Sequence, residues 1–259
     1  MADWALILGA SSGFGEATSL ALAKAGFDIF GVHLDRRQTM SNVERITAEI
    51  AAAGREVRFF NVNAADAANR AEVLDEIAEQ CGGRPVRVLL HSLAFGALKP
   101  LIADDPKNAL TQVQIEMTLN VMASSLVYWS QELVQRKLMR EWGRIFAMTS
   151  AGSSRAIPSY GAVSAAKAAL EAFIRQLAVE LAPHGITANA IRAGVTETPA
   201  SRMIPESEAL FAEARRRNPA QRLTTPPDVA AFIALLSQPD AHWVSGNVIN
   251  VDAGEDIAG

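Results

Sequence analysis

The residues best suited to chemistry lie in SRAIPSYGAVSAAKAALEAF, residues 154–173, where Tyr160 stands seven positions before Lys167 at the start of an Ala-rich run. A tyrosine hydroxyl can donate a proton or a hydrogen bond, and a lysine ammonium favours negative charge beside it. Seven residues make nearly two turns of α-helix, so the two side chains share one face, roughly 10 Å apart along the axis. Because such pairs also arise by chance, the rest of the chain must decide whether this one is catalytic.

Two alternating patterns predict the elements that position this pair. Short apolar runs rich in β-branched residues give way to longer segments of helical period, which is typical of βαβ units around a parallel sheet. We predict strands at residues 4–8, 28–33, 56–62, 86–92, 143–148, 186–191 and 248–251, and helices at 15–25, 40–53, 69–80, 110–135, 159–182 and 227–236. The predicted fold class is α/β, a doubly wound (Rossmann) sheet of seven parallel strands with helices on both faces.

One segment, residues 196–221, does not fit this alternation, because it is long, polar and weakly periodic. In a compact domain, such a segment is typical of a functional flap. We therefore predict a single domain over residues 1–259 with a substrate-binding flap at about 196–221.

Composition excludes several classes of function. No apolar run approaches the roughly 18 residues that a membrane-spanning helix needs, and the N-terminus lacks the features of a secretory signal. Cys81 is the only cysteine, which excludes an internal disulfide framework and favours a reducing compartment, so we expect a cytoplasmic location. A formal charge of −4 gives no basic field for nucleic acid, and no residue cluster has the spacing of metal ligands.

The first predicted strand runs into GASSGFG, in which Gly9, Gly13 and Gly15 open the next helix. Glycine is needed where the backbone turns tightly and where a pyrophosphate approaches, and the helix N-terminus adds N–H donors and a favourable dipole. The spacing GxxxGxG departs from the commoner GxGxxG, and a glycine turn without a phosphate is the alternative. The order of strand, loop and helix favours a bound dinucleotide.

With this loop, the sequence resembles the short-chain dehydrogenase/reductases along essentially its whole length. The matching residues outside the loop are Asn61, Val62, Asn120, Ser150, Tyr160 and Lys167. The resemblance implies an NAD(P)(H)-dependent oxidoreductase whose catalytic residues are Ser150, Asn120, Tyr160 and Lys167. It also implies cofactor contacts from Gly9, Ser11, Ser12, Gly13, Phe14, Gly15, Arg36, Arg37, Asn61, Val62, Ser92, Leu93, Ala94, Lys167, Gly194, Val195, Thr196 and Thr198.

The spacing of tyrosine and lysine departs from the usual family pattern. Val163 stands four residues before Lys167, where the family tyrosine is usual, so the role of the acid falls on Tyr160. The longer spacing resembles the enoyl-acyl-carrier-protein reductases of the family, and so do HSLAFG at residues 91–96 and the catalytic segment. Ser150 stands where many bacterial enoyl reductases carry a second tyrosine, and in this the chain resembles their NADPH-dependent variant.

A tyrosine displaced by about one helical turn suits one double bond better than another. In a ketone, hydride attacks the carbonyl carbon, and the acid must lie at that same carbonyl. In an enoyl thioester, hydride attacks the β-carbon, and charge develops on the thioester oxygen two atoms farther away. We therefore predict hydride transfer to the β-carbon, with Tyr160 stabilising the enolate oxygen and Lys167 holding the nicotinamide ribose.

The supporting residues keep alternative interpretations. Ser150 donates a second hydrogen bond to the substrate oxygen or only caps the turn that follows it. Asn120 serves the site or makes a structural hydrogen bond inside an apolar helix. AGVTET, residues 193–198, resembles the family's PGxxxT segment with alanine for proline, which implies that Val195 contacts the nicotinamide amide through its backbone and that Thr198 binds the amide or the pyrophosphate.

The second predicted strand ends in HLDRRQ, which bears on the choice of cofactor. An acidic residue at the strand tip favours the ribose of NADH, whereas arginine favours the extra phosphate of NADPH. The usual acidic position falls on His33, and Asp35 is followed by Arg36 and Arg37. We predict NADPH, with NADH as the alternative, and expect Asp35 to pair with a neighbouring arginine.

The expected partners follow from the substrate. EARRRNPAQR, around Arg215–Arg217, is either a basic patch that docks an acidic acyl carrier protein or a solvated helix face. We expect an acyl-carrier-protein or acyl-CoA thioester as substrate, and the resemblance implies a homotetramer formed through the Ala-rich helix. The alternatives are a carbonyl reductase or alcohol dehydrogenase of the same family, such as a 3-oxoacyl-thioester reductase, and a non-catalytic nucleotide-binding protein.

Overall fold

Seven strands form one parallel sheet in the computed structural model, which describes residues 2–258. They are β1 (Trp4–Leu8), β2 (Asp28–His33), β3 (Val57–Asn61), β4 (Val86–His91), β5 (Arg144–Thr149), β6 (Thr187–Ala193) and β7 (Val248–Val251). Their order across the sheet is β3-β2-β1-β4-β5-β6-β7, and every neighbouring pair is parallel. This architecture confirms the predicted doubly wound fold.

The central strands are buried on both faces, which is why they appear in the sequence as continuous apolar runs. Alternate residues of β1 enter two separate apolar layers, Leu6 and Leu8 on one face and Ala5 and Ile7 on the other. The first layer is completed by α3 (Ala67–Gln80), α5 (Ser125–Gln135) and α6 (Gly161–Leu181). The second is completed by α1 (Gly13–Lys24), α2 (Met40–Ala52) and α8 (Pro226–Leu236).

The strand order places the predicted ligand-binding loops together. β1 and β4 are hydrogen-bonded neighbours although β2 and β3 come between them in the sequence. In doubly wound sheets, ligands bind in the crevice at the carboxyl ends of the strands where the order reverses. The glycine loop follows β1 and residues 92–94 follow β4, so both segments lie at this crevice.

Two segments differ from the sequence prediction. The helix predicted at residues 110–135 is divided into α4 (Gln112–Leu119), a π-helix (Asn120–Ser124) and α5. Apolar spacing does not report which carbonyl each N–H reaches, so periodicity could not reveal this break. The flap contains a helix, α7 (Ser207–Arg217), whose buried residues are Phe211 and Ala214, too few to give a clear helical period.

None of the helices between residues 2 and 258 is both long and apolar enough to span a bilayer. Cys81 is buried and carries a free thiol. Within the same residues, no group of three or more His, Cys, Asp or Glu side chains is arranged to hold a metal ion.

Candidate active site

The loop between β1 and α1 brings the backbone so close to itself that glycine is required. A Cβ on Gly15 would lie 1.9 Å from the Gly9 carbonyl oxygen, and a Cβ on Gly9, whose φ is +88°, would lie 2.6 Å from the Ser92 carbonyl oxygen. Ser12, at the N-cap of α1, makes no side-chain bond to the helix. The first-turn N–H groups and the Ser12 hydroxyl are therefore available to an anion, which fits the pyrophosphate of a dinucleotide.

The flap begins beside this loop. A Cβ on Gly13 would lie 3.4 Å from Thr198 Cγ2. The Thr198 N–H donates to Ser201 Oγ at 2.8 Å, and the Thr196 hydroxyl donates to the Gly194 carbonyl at 2.9 Å. The predicted cofactor-binding residues after β1, β4 and β6 thus lie at one edge of the sheet.

His33, the last residue of β2, holds the Asp35 carboxylate. His33 Nδ1 lies 2.9 Å from an Asp35 carboxylate oxygen. Burial acts to raise the pKa of Asp35, but hydrogen bonding with Ser11, Thr39 and His33 outweighs it and lowers this pKa below its usual value. The expectation that Asp35 pairs with a neighbouring arginine is therefore wrong, because the histidine two residues earlier draws the carboxylate inward.

Arg36 and Arg37 follow Asp35 and are exposed, and neither guanidinium forms an ion pair with another side chain among residues 2–258. The segment that carries them is fixed by Asn61. The Asp35 N–H donates to Asn61 Oδ1 at 2.9 Å, and Asn61 Nδ2 donates to the Asp35 carbonyl at 3.0 Å. Asn61 therefore holds two unpaired cations at the tip of β2, where an anionic group of a ligand can meet them.

Tyr160 stands immediately before α6 and faces Ser150. Ser159 precedes it with a φ of +59°, a left-handed conformation that costs a non-glycine residue about 1–3 kcal/mol. The Tyr160 ring packs so closely on Gly152 that a Cβ there would lie 2.8 Å from it. Burial raises the pKa of Tyr160, and the Ser150 hydroxyl acts in the opposite direction. The phenol therefore stays protonated at neutral pH and can donate a hydrogen bond.

Val163 fills the place of the usual family tyrosine. It is 3% exposed, and a Cβ on Gly96 would lie 3.0 Å from its Cγ2, so the loop after β4 closes over it. The chain has two tyrosines, and the other, Tyr128, stacks under the Arg70 guanidinium at 5.3 Å. Tyr160 is thus the tyrosine that lies beside Ser150.

Ser150 follows β5 and carries an unpaired hydroxyl. Its Oγ is buried and makes no hydrogen bond of normal length within residues 2–258, although it lies near enough to the Tyr160 hydroxyl to oppose the rise in that phenol's pKa. It does not cap the turn that follows, Ala151–Ser153, so the alternative structural interpretation of this serine is wrong. A substrate oxygen between Ser150 and Tyr160 would accept a hydrogen bond from both hydroxyls.

Lys167 is buried two turns into α6, 5% exposed, and its Nζ donates to the Met148 carbonyl at 2.7 Å. Burial lowers the pKa of Lys167 to about 8, although Glu171 acts to raise it. Glu171 is itself held by the Thr149 hydroxyl at 2.7 Å and by Arg192 at 3.2 Å. Lys167 therefore remains mostly charged at neutral pH and lies at the same end of β5 as Ser150.

Asn120 opens the π-helix, which packs against α6. Its carbonyl accepts the N–H of Ser125, whereas its carboxamide makes no hydrogen bond to any residue between 2 and 258. The alternative of a structural side-chain hydrogen bond is not realised. The carboxamide is available to the site.

The sequence did not identify Glu255, a buried carboxylate at the flap. Glu255 is 4% exposed, its oxygens lie 3.2 and 3.3 Å from the Val195 nitrogen, and it pairs with Arg217 at 3.2 Å. The Val195 N–H is thus already bonded, which leaves its carbonyl for the predicted contact with a nicotinamide amide. A single glutamate near the chain end has no local pattern that could reveal this role.

The arginines of α7 differ in their surroundings. Arg216 pairs with Glu213 at 2.7 Å, and Arg217 pairs with Glu255. Arg215 is exposed and forms no ion pair with the described residues. Two of the three positive charges in the predicted docking patch are therefore compensated locally.

The chain is similar to several known proteins over most of its length. A family model described as enoyl-(acyl carrier protein) reductase matches residues 9–255. The 1-cyclohexenylcarbonyl-CoA reductase of Streptomyces collinus is 28% identical over 254 residues, which cover 97% of this chain and 86% of that protein. The enoyl-acyl-carrier-protein reductase (NADH) FabI of Bacillus cereus is 33% identical over 172 residues, which cover 65% of this chain and 64% of that protein.

Among solved structures, a short-chain dehydrogenase from Burkholderia cenocepacia in complex with NADP superimposes with a TM-score of 0.81 at 28% identity and covers 98% of both chains. One edge of the sheet carries the glycine loop, Ser150, Tyr160 and Lys167. The family model matches the chain almost completely. The chain therefore belongs to the short-chain dehydrogenase/reductases, in their enoyl-(acyl carrier protein) reductase family of oxidoreductases.

Proposed function

We propose that this oxidoreductase uses NADPH to reduce the carbon–carbon double bond of trans-2-enoyl thioesters, as in fatty acid synthesis. The observation that carries the proposal is the position of Tyr160, seven residues before Lys167, while buried Val163 fills the usual tyrosine place. The family match and the similarity to a reductase of a cyclohexenylcarbonyl thioester support it.

The residues of the site suit charge that develops on a thioester oxygen. The bound cofactor supplies the hydride that the β-carbon accepts. As that bond forms, the electron pair of the double bond moves toward the carbonyl, and the Tyr160 hydroxyl stabilises the resulting enolate oxygen by donating to it. The unpaired Ser150 hydroxyl provides a second donor. A proton taken up at the α-carbon completes the reduction.

Lys167 acts on the cofactor side of the site. The buried Lys167 ammonium holds the nicotinamide ribose, because a desolvated cation binds hydroxyl oxygens strongly. Asn120 lies beside α6, the helix that carries Lys167, and its carboxamide is free to interact with the site. Neither residue exchanges a proton with the substrate in this scheme.

Arg36 and Arg37 support NADPH over NADH. Both are exposed and unpaired within residues 2–258, and His33 keeps Asp35 away from them. A ribose phosphate would compensate two cations that have no other partner. The solved relative with bound NADP agrees with this choice, whereas the relative named for NADH favours the alternative.

Two relatives differ in the carrier of the acyl group that their names give. One is named for a CoA thioester and the other for an acyl carrier protein. Arg215 is the unpaired guanidinium of α7 that an acidic carrier would meet. We therefore expect crotonyl-CoA to serve as an assay substrate, with acyl carrier protein as the carrier in the cell.

A 3-oxoacyl-thioester reductase is the second candidate. The buried, unpaired Ser150 hydroxyl favours it, because the wider family uses a serine at this place with ketone substrates. Crotonyl-CoA and acetoacetyl-CoA assayed side by side with NADPH separate the two functions. We expect faster oxidation of NADPH with crotonyl-CoA, and a clear preference for acetoacetyl-CoA would favour the second candidate.

A further inference from the structure

Two fully buried side chains hold the π-helix. His91 Nε2, at the end of β4, lies 2.8 Å from Ser125 Oγ, and Ser125 Oγ lies 2.8 Å from the Val121 carbonyl. A carbonyl only accepts, so the Ser125 hydroxyl gives its proton to Val121 and accepts one from His91 Nε2–H. Burial lowers the pKa of His91 to about 3, so this neutral ring persists over the whole working pH range.

This chain of hydrogen bonds compensates for the widened turn. In an α-helix the Ser125 N–H would donate to the Val121 carbonyl, four residues back. Here the N–H donates to the Asn120 carbonyl, five residues back, and the Ser125 hydroxyl serves Val121 in its place. Loss of the hydroxyl removes the Ser125 donor from the Val121 carbonyl, which favours recovery of the Ser125 N–H and a return of this turn to α-helix.

We propose that Ser125, oriented by His91, is a positioning residue that keeps the π-helix open and thereby presents Asn120 to the active site. The π-helix begins at Asn120 and packs against α6, the helix that carries Lys167. π-Helices are rare and concentrate at functional sites, which agrees with a turn that is widened for one side chain. The catalytic consequence rests on the proposed function, but the structural consequence does not.

The chain offers a matched control on the same helix. Ser130 is 1% exposed, and its hydroxyl donates to the Leu126 carbonyl at 2.7 Å, so it makes the same i to i−4 bond as Ser125 within a regular helix. Ser125→Ala and Ser130→Ala each remove one buried hydroxyl. They differ in whether that hydroxyl supports the π-helix.

The direct test is a crystal structure of each variant. We expect Ser125→Ala to convert residues 120–124 to α-helix and displace Asn120, and Ser130→Ala to retain the π-helix. An intact π-helix in Ser125→Ala overturns the proposal. If Ser125→Ala does not fold, Ser125→Cys replaces it, because a thiol of similar size is only a weak donor and acceptor.

A kinetic cycle tests the link to Asn120. With whichever thioester the wild type reduces, we expect Ser125→Ala to lower kcat about tenfold or more while NADPH binding, followed by fluorescence titration, changes less than about twofold. In an Asn120→Ala background, the same substitution should add no further loss. Equal losses in both backgrounds, or equal losses for Ser125→Ala and Ser130→Ala, contradict the proposal. Failure with every enoyl and carbonyl thioester would instead contradict the proposed function and leave the crystallographic test unaffected.

Discussion

Among single residues, the proposed reduction depends most on the Tyr160 hydroxyl, which donates a hydrogen bond to the enolate oxygen. Tyr160→Phe removes it and leaves the ring on Gly152, so we expect kcat to fall about 100-fold or more with NADPH affinity unchanged. Tyr128→Phe is the matched control, because Tyr128 lies on α5 under Arg70 of α3 and the variant should keep normal turnover. Steady-state kinetics with fluorescence titration of NADPH measure both quantities. Near-normal turnover in Tyr160→Phe would refute the assignment.

Lys167 makes the reaction sensitive to pH. Its pKa is lowered to about 8, so the ammonium form is present below that pH and is lost as the pH rises through it. We expect kcat/KM to decline above about pH 8, far below the usual lysine value of about 10.4. Burial raises the pKa of Tyr160, so tyrosine ionisation does not produce this decline. A profile that stays flat to pH 10 would contradict the role of Lys167.

Arg36 and Arg37 determine the expected cofactor preference. Each charge-assisted contact with a phosphate contributes about 1.5–3 kcal/mol, so Arg36→Ala or Arg37→Ala should lower kcat/KM for NADPH roughly 10- to 100-fold. The value for NADH should change little. Arg140→Ala, an exposed arginine in the loop before β5 at the opposite edge of the sheet, serves as the control. Equal losses with both cofactors would show that these arginines do not distinguish them.

Single residues also show what the sequence could reveal about the site. Tyr160, Lys167 and Ser150 can be proposed as site residues from the sequence because they lie within one short segment with a recognisable spacing. The partner of Asp35 was assigned wrongly, because the sequence offers two adjacent arginines and does not show that His33 turns inward. Glu255 meets Val195 across 60 residues of sequence, and no local pattern records such a contact.

Among the elements of the fold, the segment after β7, residues 252–255, contacts both ends of the flap. Glu255 bonds the Val195 N–H where the flap begins and Arg217 where α7 ends, and Asn218 Nδ2 donates to the Asp252 carbonyl at 3.0 Å. These contacts hold the flap in place, because its helix α7 buries only Phe211 and Ala214 and packs weakly by itself. Flap order should depend on this carboxylate.

Glu255→Ala tests this dependence. It leaves Arg217 and the Val195 N–H unpaired, so we expect the unfolding free energy to fall by about 1–3 kcal/mol and the flap to be cleaved faster in limited proteolysis. KM for the thioester should rise more than KM for NADPH. Glu213→Ala is the control, because its pair with Arg216 on the same helix is exposed and should leave all three quantities unchanged. Identical behaviour of the two variants would show that Glu255 does not order the flap.

Elements of the sheet were predictable, whereas the irregular ones were not. β1 is buried along its whole length, and its apolar run marks it in the sequence within the observed bounds. At the break in residues 110–135, the Ser125 N–H bonds the Asn120 carbonyl and the Ser125 hydroxyl bonds the Val121 carbonyl. Apolar periodicity does not record such a choice of acceptors. The helix α7 was not predicted for a different reason: its buried residues are only Phe211 and Ala214, which give it almost no apolar face.

At the scale of the whole molecule, the parallel sheet explains why distant residues meet. Gly9, Ser92, Ser150 and Val195 are far apart in the sequence, yet each follows a different strand at the same edge. Because all neighbouring strands run in parallel, their carboxyl ends gather the loops in one place. The fold class was therefore enough to predict that these loops meet, and side-chain partners had to come from the structure.

The outer face of α6 bears on the expected homotetramer. Ala165, Ala168 and Val179 are exposed on this helix, with Val179 71% exposed. Small side chains permit close packing of helices, so Ala168→Arg should dissociate a tetramer that forms through this face. Ala52→Arg, at the exposed end of α2, is the control. Analytical ultracentrifugation gives the masses, and a tetramer that persists in Ala168→Arg would exclude α6 as its interface.

In the proposed reaction, this site delivers hydride to the β-carbon of the thioester while Tyr160 stabilises the enolate oxygen. The most direct measurement uses NADPH deuterated at the transferred position with crotonyl-CoA, followed by mass spectrometry and NMR of the product. We expect butyryl-CoA that carries deuterium at C3, and loss of this product in Tyr160→Phe. Unchanged crotonyl-CoA, together with deuterated 3-hydroxybutyryl-CoA from acetoacetyl-CoA, would contradict it.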